Sequence, residues 1–210
     1  MARTISPSLL SANFSRLSDD INLVENLGVN RLHLDVMDGH FVPNLTFGPF
    51  IIEQIRKSTN CHLETHLMIE NPDKYIKNYA DAGSDTIIIH YEASADPVKD
   101  LQYIRTLGKK SGIAINPDTD YNNITKYFDY LDYILIMSVF PGFGGQSFIE
   151  PTLEKMSSLA ALTKNLDILI GVDGGVNLET INKIYNTGID ITIIGSALYG
   201  AENIEKRYFQ

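Results

Sequence analysis

The chain has 210 residues, 44% of them hydrophobic and 20% charged, which is an ordinary composition for a globular protein. Its 26 acidic residues outnumber 17 basic ones, giving a formal net charge of −9, so the basic surface that binds nucleic acid or anionic membrane is not expected. No apolar run is long enough to span a bilayer, residues 1–5 show no signal-peptide pattern, and Cys61 is the only cysteine. We therefore expect a cytoplasmic protein without an internal disulfide and with no nucleic-acid or membrane partner.

Short β-rich apolar runs alternate with amphipathic, helix-like segments along the whole chain. The eight candidate strands, in chain order, are residues 4–9, 31–36, 62–68, 86–90, 113–116, 133–137, 168–173 and 191–194. Strands that are buried on both faces and alternate with helices indicate a parallel sheet. Eight such units predict an α/β fold, a single (β/α)8 TIM barrel over residues 1–210. An open doubly wound sheet is the alternative, but it would carry its Gly-rich turn after the first strand.

Several helix boundaries are marked in the sequence. Asn71-Pro72 and Asp96-Pro97 each place a capping residue before a proline, the pattern typical of a helix start. Gly28, Gly83 and Gly188 each stand where a helix should end. The three glycines also begin a weak internal repeat of helix stop, polar turn and buried strand, which supports the regular alternation of elements.

Functional groups of a barrel lie at the C-terminal ends of its strands. His33 and Asp35 are two residues apart on the second strand, so their side chains share one face, about 6.5 Å apart along the strand, which suits chelation of one ion. His66, on the third strand, is a candidate third ligand, and Glu64, one layer deeper, is a candidate partner that orients His66. Histidines and carboxylates at strand ends also often serve only to stabilise the fold, so neither motif decides the function alone.

The later strands end in glycine-rich loops. Asp173 runs into Gly174-Gly175, which places a candidate ligand or catalytic group beside bare backbone, although a turn-starting aspartate is an alternative reading. Similar loops follow the sixth and eighth strands, at residues 141–146 and at Gly195-Ser196. Backbone N–H groups of such loops can approach an anion closely, and the loops after strands 7 and 8 are the usual phosphate site of this fold. These loops contain no lysine or arginine, so we expect N–H groups and the Ser196 hydroxyl to hold a phosphate.

Methionines and two further histidines occupy strand ends or strand starts. Met37, Met68 and Met137 all fall at the ends of candidate strands, where they either fill the core or form a collar that excludes water from a reacting carbon. His90 ends the fourth strand and is a candidate for a position behind a ligand. His62 is expected to be an ordinary histidine at the rim.

Taken together, seven segments resemble the ribulose-phosphate 3-epimerase family. They are residues 6–14, 33–43, 66–68, 137–139, 141–148, 172–176 and 195–197, so the resemblance extends from residue 6 to about residue 200. It implies a barrel of the ribulose-phosphate-binding type, one divalent metal ion and a small phosphorylated ketose as substrate. It also implies an isomerase of carbohydrate metabolism, in the pentose phosphate pathway, that interconverts D-ribulose 5-phosphate and D-xylulose 5-phosphate.

The resemblance also implies roles for individual positions. The implied metal ligands are His33, Asp35, His66 and Asp173, with Asp35 and Asp173 also acting as the acid/base pair. Zn²⁺ or Fe²⁺ suits two histidines and two carboxylates, with Mn²⁺ or Co²⁺ as alternatives. The implied substrate-binding residues are Ser8, Met37, His66, Met68, Met137, Gly142, Phe143, Gly144, Gly145, Gly174, Gly175, Gly195 and Ser196.

The chemistry of the implied reaction requires such groups. Inversion of a carbon next to a ketone needs one group to remove a proton from one face and another to return a proton to the opposite face. Asp35 and Asp173, from distant strands, can flank that carbon while holding different protonation states. Proton loss makes a 2,3-enediolate, whose charge a divalent metal stabilises as a Lewis acid. A bound phosphate anchors the substrate and supplies positioning energy.

Other functions stay open at this point. A 3-epimerase for a hexulose phosphate such as D-allulose 6-phosphate would keep the metal site and both aspartates. A decarboxylase of the orotidine-phosphate decarboxylase group needs Asp-x-Lys-x-x-Asp at the third strand, and residues 64–69 lack the lysine and the final carboxylate. A non-catalytic phosphosugar-binding barrel would have lost a ligand or a base, whereas all four matching positions are present.

The sequence departs from the family pattern in three places. Phe140 stands where the family often has a polar residue, and Glu64 stands where it often has aspartate. Only residues 201–210 remain for a last outer helix, so we expect that helix to be clipped or absent, with consequences for barrel closure or subunit contacts. A homo-oligomer is compatible with the sequence.

Overall fold

The computed structural model describes residues 4–209; residues 1–3, on which part of the signal-peptide prediction rests, lie outside this range. Within it, eight strands form one parallel sheet. They are β1 (Thr4–Pro7), β2 (Arg31–Met37), β3 (His62–Met68), β4 (Thr86–His90), β5 (Lys110–Ile115), β6 (Tyr133–Met137), β7 (Leu169–Asp173) and β8 (Ile191–Ile194).

Helices connect the strands on the outside of the sheet. The α-helices of the described residues are α1 (Leu17–Asn26), α2 (Pro49–Ser58), α3 (Ile76–Asp81), α4 (Pro97–Thr106), α5 (Thr152–Thr163), α6 (Ile181–Tyr185), α7 (Ser196–Tyr199) and α8 (Ile204–Tyr208), and short 3-10 helices span Leu9–Ser11, Phe14–Arg16 and Pro72–Lys74. A 3-10 helix, Tyr121–Tyr130, takes the place of an α-helix between β5 and β6. None of the helices in residues 4–209 has both the length and the apolar character needed to cross a membrane.

The strands follow one another around a barrel. The sheet order is β2-β3-β4-β5-β6-β7-β8-β1, and each neighbouring pair is parallel. An isolated parallel bridge between Ser8 and His33 joins the two edges of the sheet. The predicted (β/α)8 TIM barrel is confirmed, and the alternative of an open doubly wound sheet is wrong.

Strand alternation divides the core into two regions and decides where the polar groups point. Leu32 and Leu34 of β2 pack in the cluster between the sheet and the helices, where Ile52 of α2 is also buried. His33 and Asp35 alternate with them and therefore face the barrel interior. The same alternation in the later strands forms a second buried cluster that includes Ala114, Leu135 and Ile193.

Most of the marked boundaries are confirmed. The Asp96 side chain caps α4 by accepting from the backbone N–H of Lys99, and Gly28, Gly83 and Gly188 have left-handed φ angles of +89°, +105° and +94° at the ends of their helices.

Two boundary predictions differ in part from the structure. Asn71 and Pro72 stand at the N-cap and the start of a helix, as predicted, but that helix is a 3-10 turn, Pro72–Lys74, and α3 begins only at Ile76. Asn71 makes no side-chain cap bond and is itself left-handed, with φ +49°. β5 begins at Lys110, three residues before the predicted start. Its first residues are polar and were not recognised as part of a strand. Asp132 holds them in the sheet by binding the side chain of Lys110 and the backbone N–H of Ser111.

The end of the chain is short, as expected, yet the barrel is completed. The last helix, α8, has five residues and makes contact with α7 through a hydrogen bond from the Tyr208 hydroxyl to the Ala197 carbonyl, 3.1 Å. β8 pairs with β1 from Thr4–Ile191 to Pro7–Ile194. The barrel therefore closes with an outer helix of only five residues after β8.

Candidate active site

A pocket opens at the C-terminal ends of the strands. Of the residues expected to bind substrate, metal or both, those that line it are Ser8, Asp35, Met37, Met68, Met137, Gly142, Phe143, Gly144, Gly145, Asp173, Gly174, Gly175, Gly195 and Ser196. His33 and His66 do not line its surface, since both are fully buried. The pocket also has lining residues that the sequence did not single out, including Leu10, Ser11 and Val139.

Four side chains converge at the base of this pocket. His33, Asp35, His66 and Asp173 each offer one ligand atom, and these four atoms all lie within 4.8 Å of one another. Nε2 of His33 lies 3.3 Å from Oδ1 of Asp35 and 3.4 Å from Nδ1 of His66. Nδ1 of His66 lies 3.2 Å from Oδ1 of Asp35 and 4.0 Å from Oδ2 of Asp173. The structure thus brings together the four positions expected to hold a metal.

Strand register explains why these side chains meet. Across β2 and β3, His33 is the partner of Glu64 and Asp35 is the partner of His66. Side chains of directly paired residues lie on the same face at close range. Asp173 ends β7, three strands away from β2 around the barrel, and approaches the cluster from a different side.

The expectation that Glu64 orients His66 is wrong. Oε1 of Glu64 lies 3.3 Å from Nδ1 of His33, its direct partner in the register, and Glu64 also accepts from the hydroxyl of Ser6 and from Arg31. The second nitrogen of His66 instead meets His90. Strand periodicity put Glu64 and His66 on one face, but only the inter-strand register decides which imidazole the carboxylate reaches.

The two aspartates of the site have opposite electrostatic surroundings. Burial, and then the charge of the Asp35 carboxylate, raise the pKa of Asp173 to about 7. Burial would raise the pKa of Asp35 too, but His33, with a contribution from His66, holds that pKa well below its usual range. Without a cation, Asp35 is therefore ionised near neutral pH, whereas Asp173 takes up a proton as the pH falls through about 7.

The two histidines differ as well. Burial works to lower the pKa of His33, but Asp35 and Glu64 together raise that pKa well above its usual value of 6.5. Burial lowers the pKa of His66 to about 4, and the neighbouring His33 and His90 act in the same direction. His66 is therefore a neutral imidazole, the form that can donate a lone pair to a metal.

The donor set fits a divalent metal. A tetrahedral shell with bonds of about 2.0–2.1 Å has edges of about 3.3–3.4 Å, and the three distances among His33, Asp35 and His66 are 3.2–3.4 Å. Two imidazole nitrogens and two carboxylate oxygens are ligands that Zn²⁺ and Fe²⁺ accept. All four side chains belong to strands of the barrel, which hold them in place.

The other side of the pocket is formed by the glycine loops. Gly175 has φ +64°, and a Cβ there would lie 2.5 Å from the backbone nitrogen of Phe148, so only glycine fits without displacing backbone. A Cβ on Gly195 would lie 2.7 Å from Oγ of Ser11. None of the described residues that line the pocket is a lysine or an arginine. The polar groups among the lining residues include backbone groups of the glycines and the hydroxyls of Ser8, Ser11 and Ser196.

Apolar side chains surround the cluster. Met37 and Met68 form a buried group with Val42, against which Leu10 and Phe41 pack, and Met137 packs with Val139 inside the barrel. The three methionines lie at the strand ends, as predicted, and they border the pocket. Phe140 and Phe143 of the loop after β6 are about half exposed.

Comparison with known proteins gives an independent observation. Residues 4–199 match the model of the family described as "Ribulose-phosphate 3 epimerase family". The chain belongs to that family. The resemblance is thereby confirmed, and the protein is an epimerase, an enzyme of the isomerase class.

Curated members of the ribulose-phosphate 3-epimerase family match nearly the whole chain. Ribulose-phosphate 3-epimerase of Bacillus subtilis (strain 168) is 44% identical over 205 residues, which cover 96% of this chain and 94% of that protein. Ribulose-phosphate 3-epimerase of a Synechocystis species is 44% identical over 203 residues, which cover 95% of this chain and 88% of that protein.

Solved structures outside this family share its fold. A 3-keto-L-gulonate-6-phosphate decarboxylase from Vibrio cholerae has a TM-score of 0.73 at 18% identity and covers 98% of this chain and 94% of its own. Thiamine phosphate pyrophosphorylase from Pyrococcus furiosus has a TM-score of 0.65 at 13% identity and covers 98% of this chain and 91% of its own. At such low sequence identities, the similarity shows a shared barrel fold and says nothing about activity.

Proposed function

We propose that this epimerase interconverts D-ribulose 5-phosphate and D-xylulose 5-phosphate in a metal-dependent reaction, with residues 1–210 acting as one catalytic domain. The observation that carries the proposal is the position of Asp35 and Asp173. Both border the pocket, they come from β2 and β7, and their carboxylates belong to one cluster with two imidazoles. The curated relatives, which are named for this activity, support the choice of substrate.

The two aspartates are suited to move a proton from one face of C3 to the other. Oδ2 of Asp35 is fixed by the hydroxyl of Ser8 at 2.5 Å, whereas Asp173 leads into the bare backbone of Gly174 and Gly175. One carboxylate removes the C3 proton and leaves a 2,3-enediolate, and the opposite carboxyl group delivers a proton to the other face. In the reverse direction the two groups exchange roles.

A metal ion in the cluster would be held by His33, Asp35, His66 and Asp173. When bound, a Zn²⁺ or Fe²⁺ ion supplies Lewis-acid stabilisation of the negative charge that builds up on the sugar oxygens. The methionines Met37, Met68 and Met137 exclude water around the reacting carbon, because their buried side chains border the pocket beside the carboxylates.

The glycine loops are suited to bind the phosphate of the substrate. Gly142, Gly144 and Gly145 follow β6, Gly174 and Gly175 follow β7, and Gly195 with Ser196 follows β8. Their N–H groups, with the Ser196 hydroxyl, replace the cationic side chains that the pocket lining does not contain. Anchoring the phosphate at this end sets the position of C3 relative to the two aspartates.

Proton NMR in D₂O tests the proposal directly. The metal-loaded enzyme is given D-ribulose 5-phosphate, with a chelator-treated sample as control. Loss of the C3 proton signal and appearance of D-xylulose 5-phosphate, both abolished by the chelator, is the expected result. Turnover that survives thorough chelation would contradict metal dependence.

The same experiment separates the two other functions. If C3 exchange occurs with D-allulose 6-phosphate and not with the pentulose, the enzyme is a hexulose-phosphate epimerase. If neither sugar exchanges although both bind, the barrel is a phosphosugar-binding protein and the proposal is wrong.

A further inference from the structure

Behind the cluster, three side chains form a line that leads away from the pocket. Nε2 of His66 lies 2.8 Å from Nε2 of His90, and Nδ1 of His90 lies 3.0 Å from Oε2 of Glu92. The centroids of the two imidazole rings are 4.9 Å apart and their planes differ by 27°. Two imidazoles joined edge to edge by an N–H···N bond have centroids about 5 Å apart. The contact is therefore a directed hydrogen bond rather than a face-to-face stack.

The three groups together favour one arrangement of hydrogens. Glu92 can only accept when ionised, so Nδ1 of His90 carries the hydrogen and donates to it. A His66 that binds a metal through Nδ1 carries its hydrogen on Nε2, and that N–H donates to the facing Nε2 of His90. Nδ1 of His66, which then has no hydrogen, is the atom that faces Asp35 and Asp173.

The far end of the line is firmly anchored. Oε1 of Glu92 accepts from the backbone N–H of Asn116 at 2.8 Å and from the hydroxyl of Thr119. The loop that carries these donors is in turn held by Lys155, whose ammonium donates to the carbonyls of Asn116, Pro117 and Thr119 at 2.8, 2.9 and 2.6 Å. The side chain of Lys155 comes from α5, so this helix and the loop after β5 together keep the carboxylate in position.

The two imidazoles of the line are shielded from water, whereas Glu92 at its end is exposed. His90 is fully buried, and the ring of Phe41 covers it at a centroid distance of 4.8 Å. Burial would raise the pKa of Glu92, but hydrogen bonds from His90, from the Asn116 N–H and from Thr119 bring that pKa down to about 2. At neutral pH an ionised acceptor therefore stands behind the two imidazoles.

We propose that His90 and Glu92 are positioning residues that hold His66 in the Nε2–H form, with its Nδ1 lone pair aimed into the cluster, and thereby set the affinity of the cluster for a divalent cation. The inference rests on the metal site of the proposed function and adds the residues that organise it. His33 has a corresponding carboxylate partner without an intervening residue, because Glu64 contacts its Nδ1 directly. His66 reaches its carboxylate through a second imidazole.

Metal affinity is the main test, measured by competition of Zn²⁺ or Co²⁺ against a chromophoric chelator. His90→Phe keeps a ring next to Phe41 but removes the acceptor, and Glu92→Gln removes the charge while leaving His90 in place. We expect the first to weaken cation binding about 10- to 100-fold, as loss of a partner of a ligating histidine does elsewhere, and the second to weaken it less. The matched control is His62→Phe on β3, where the histidine contacts Thr86 instead of the cluster. It should change the affinity less than about 2-fold.

The outcomes separate this inference from the proposed function. If the wild-type protein binds the cation and both variants bind it equally well, the positioning role is wrong and the metal site stands. If His62→Phe weakens binding as much as His90→Phe does, the effect is general destabilisation and the positioning role is again wrong. If the wild-type protein binds no cation, both the metal site and the inference are overturned.

A second measurement does not depend on any variant folding. Nitrogen-15 NMR of the histidine rings in the Zn²⁺-loaded wild-type protein reports which ring nitrogen carries hydrogen. We expect His90 to carry its hydrogen on Nδ1 and His66 on Nε2. A His90 ring protonated on Nε2 alone would overturn the proposal. In Glu92→Gln we expect the shifts of both rings to change, whereas in His62→Phe they should not.

Discussion

The hydroxyl of Ser8 donates to Oδ2 of Asp35 at 2.5 Å, at the place where the two edges of the sheet meet. The backbone joins these edges through the isolated Ser8–His33 bridge. The hydrogen bond therefore has two effects: it adds a contact across the closure of the barrel, and it fixes one of the two carboxylates that border the pocket.

Replacement of Ser8 tests the importance of this contact. In Ser8→Ala the carboxylate loses a donor whose hydrogen bond to a charged group contributes about 1.5–3 kcal/mol. We expect kcat/KM to fall about 10- to 100-fold while the far-UV circular dichroism spectrum is retained. Ser157→Ala, at an exposed serine that bonds to its own helix, is the matched control. Unchanged kinetics in Ser8→Ala would mean that Asp35 needs no such support.

Replacement of Asp173 tests the acid/base pair. Asp173→Asn is nearly isosteric but cannot exchange a proton, so epimerisation should be lost by a factor of at least about 100, with the barrel still folded. The readout is the C3 proton signal in D₂O. Asp129→Asn, at an exposed aspartate of the 3-10 helix, should behave as the wild type. Wild-type turnover in Asp173→Asn would remove this residue from the mechanism.

The glycine loop after β7 should tolerate no side chain. Gly175→Ala adds a Cβ 2.5 Å from the Phe148 backbone nitrogen at a left-handed φ of +64°. We expect the free energy of unfolding to drop by more than about 1 kcal/mol and KM for the phosphorylated substrate to rise. Gly48→Ala is the control, since its φ is −105° and its added Cβ meets no atom within 4 Å. Denaturant titration of both variants measures the free energy of unfolding. An equal decrease in the two variants would contradict the steric argument.

Cation binding should be visible as thermal stabilisation. A ligand at 100 times its dissociation constant stabilises the native state by about 2.7 kcal/mol, which corresponds to a rise in Tm of about 5–10 °C for a chain of this length. Calorimetry with Zn²⁺, before and after addition of EDTA, measures this shift. His33→Gln should abolish it, while His40→Gln, at an exposed histidine, should leave it intact. A shift that persists in His33→Gln would place the cation elsewhere.

The stability of the protein in acid should depend on Glu92. Its pKa in the folded protein is about 2, below the usual 4.5, so the ionised carboxylate favours the folded state above pH 4.5. This contribution is lost as the pH falls from 4.5 towards 2, when His90 and the Asn116 N–H lose their ionised acceptor. Lys155 lies close enough to add to the effect.

We expect urea titrations to show a smaller decline in the free energy of unfolding between pH 5 and pH 3 for Glu92→Gln than for the wild type. At pH 7 the variant should be the less stable of the two. Parallel pH profiles for the two proteins would show that the carboxylate carries no folding-linked proton.

Much of the site could be predicted from the sequence because its residues lie at strand ends. The spacing His33-x-Asp35 predicted a shared face from the backbone period alone, and Asp173 before two glycines marked another strand end. Glu92 was missed, although His90-x-Glu92 repeats the same spacing. The signal was present, but Glu92 lies two residues beyond the apolar run that marks β4, where nothing in the periodicity distinguishes it from a loop residue.

Other features depend on contacts between distant segments or on turn conformation, and they could not be predicted from the sequence. Glu64 was assigned to the wrong histidine because pairing between β2 and β3 is set in three dimensions. The polar start of β5 is stabilised by Asp132, which follows that strand by many residues. Asn71 carries the composition of a helix cap, yet its backbone is left-handed. In each case the local pattern was correct and a tertiary contact or a turn conformation determined the outcome.

The pairing of the first strand with the last has a consequence for the timing of activity. Thr4 and Ile191 are neighbours in the sheet, and the pocket takes Ser8 from the beginning of the chain and Gly195 from beyond its eighth strand. During translation the segment that carries Gly195 is made after all the other strands. A nascent polypeptide can therefore gain a complete pocket only when synthesis has passed the eighth strand.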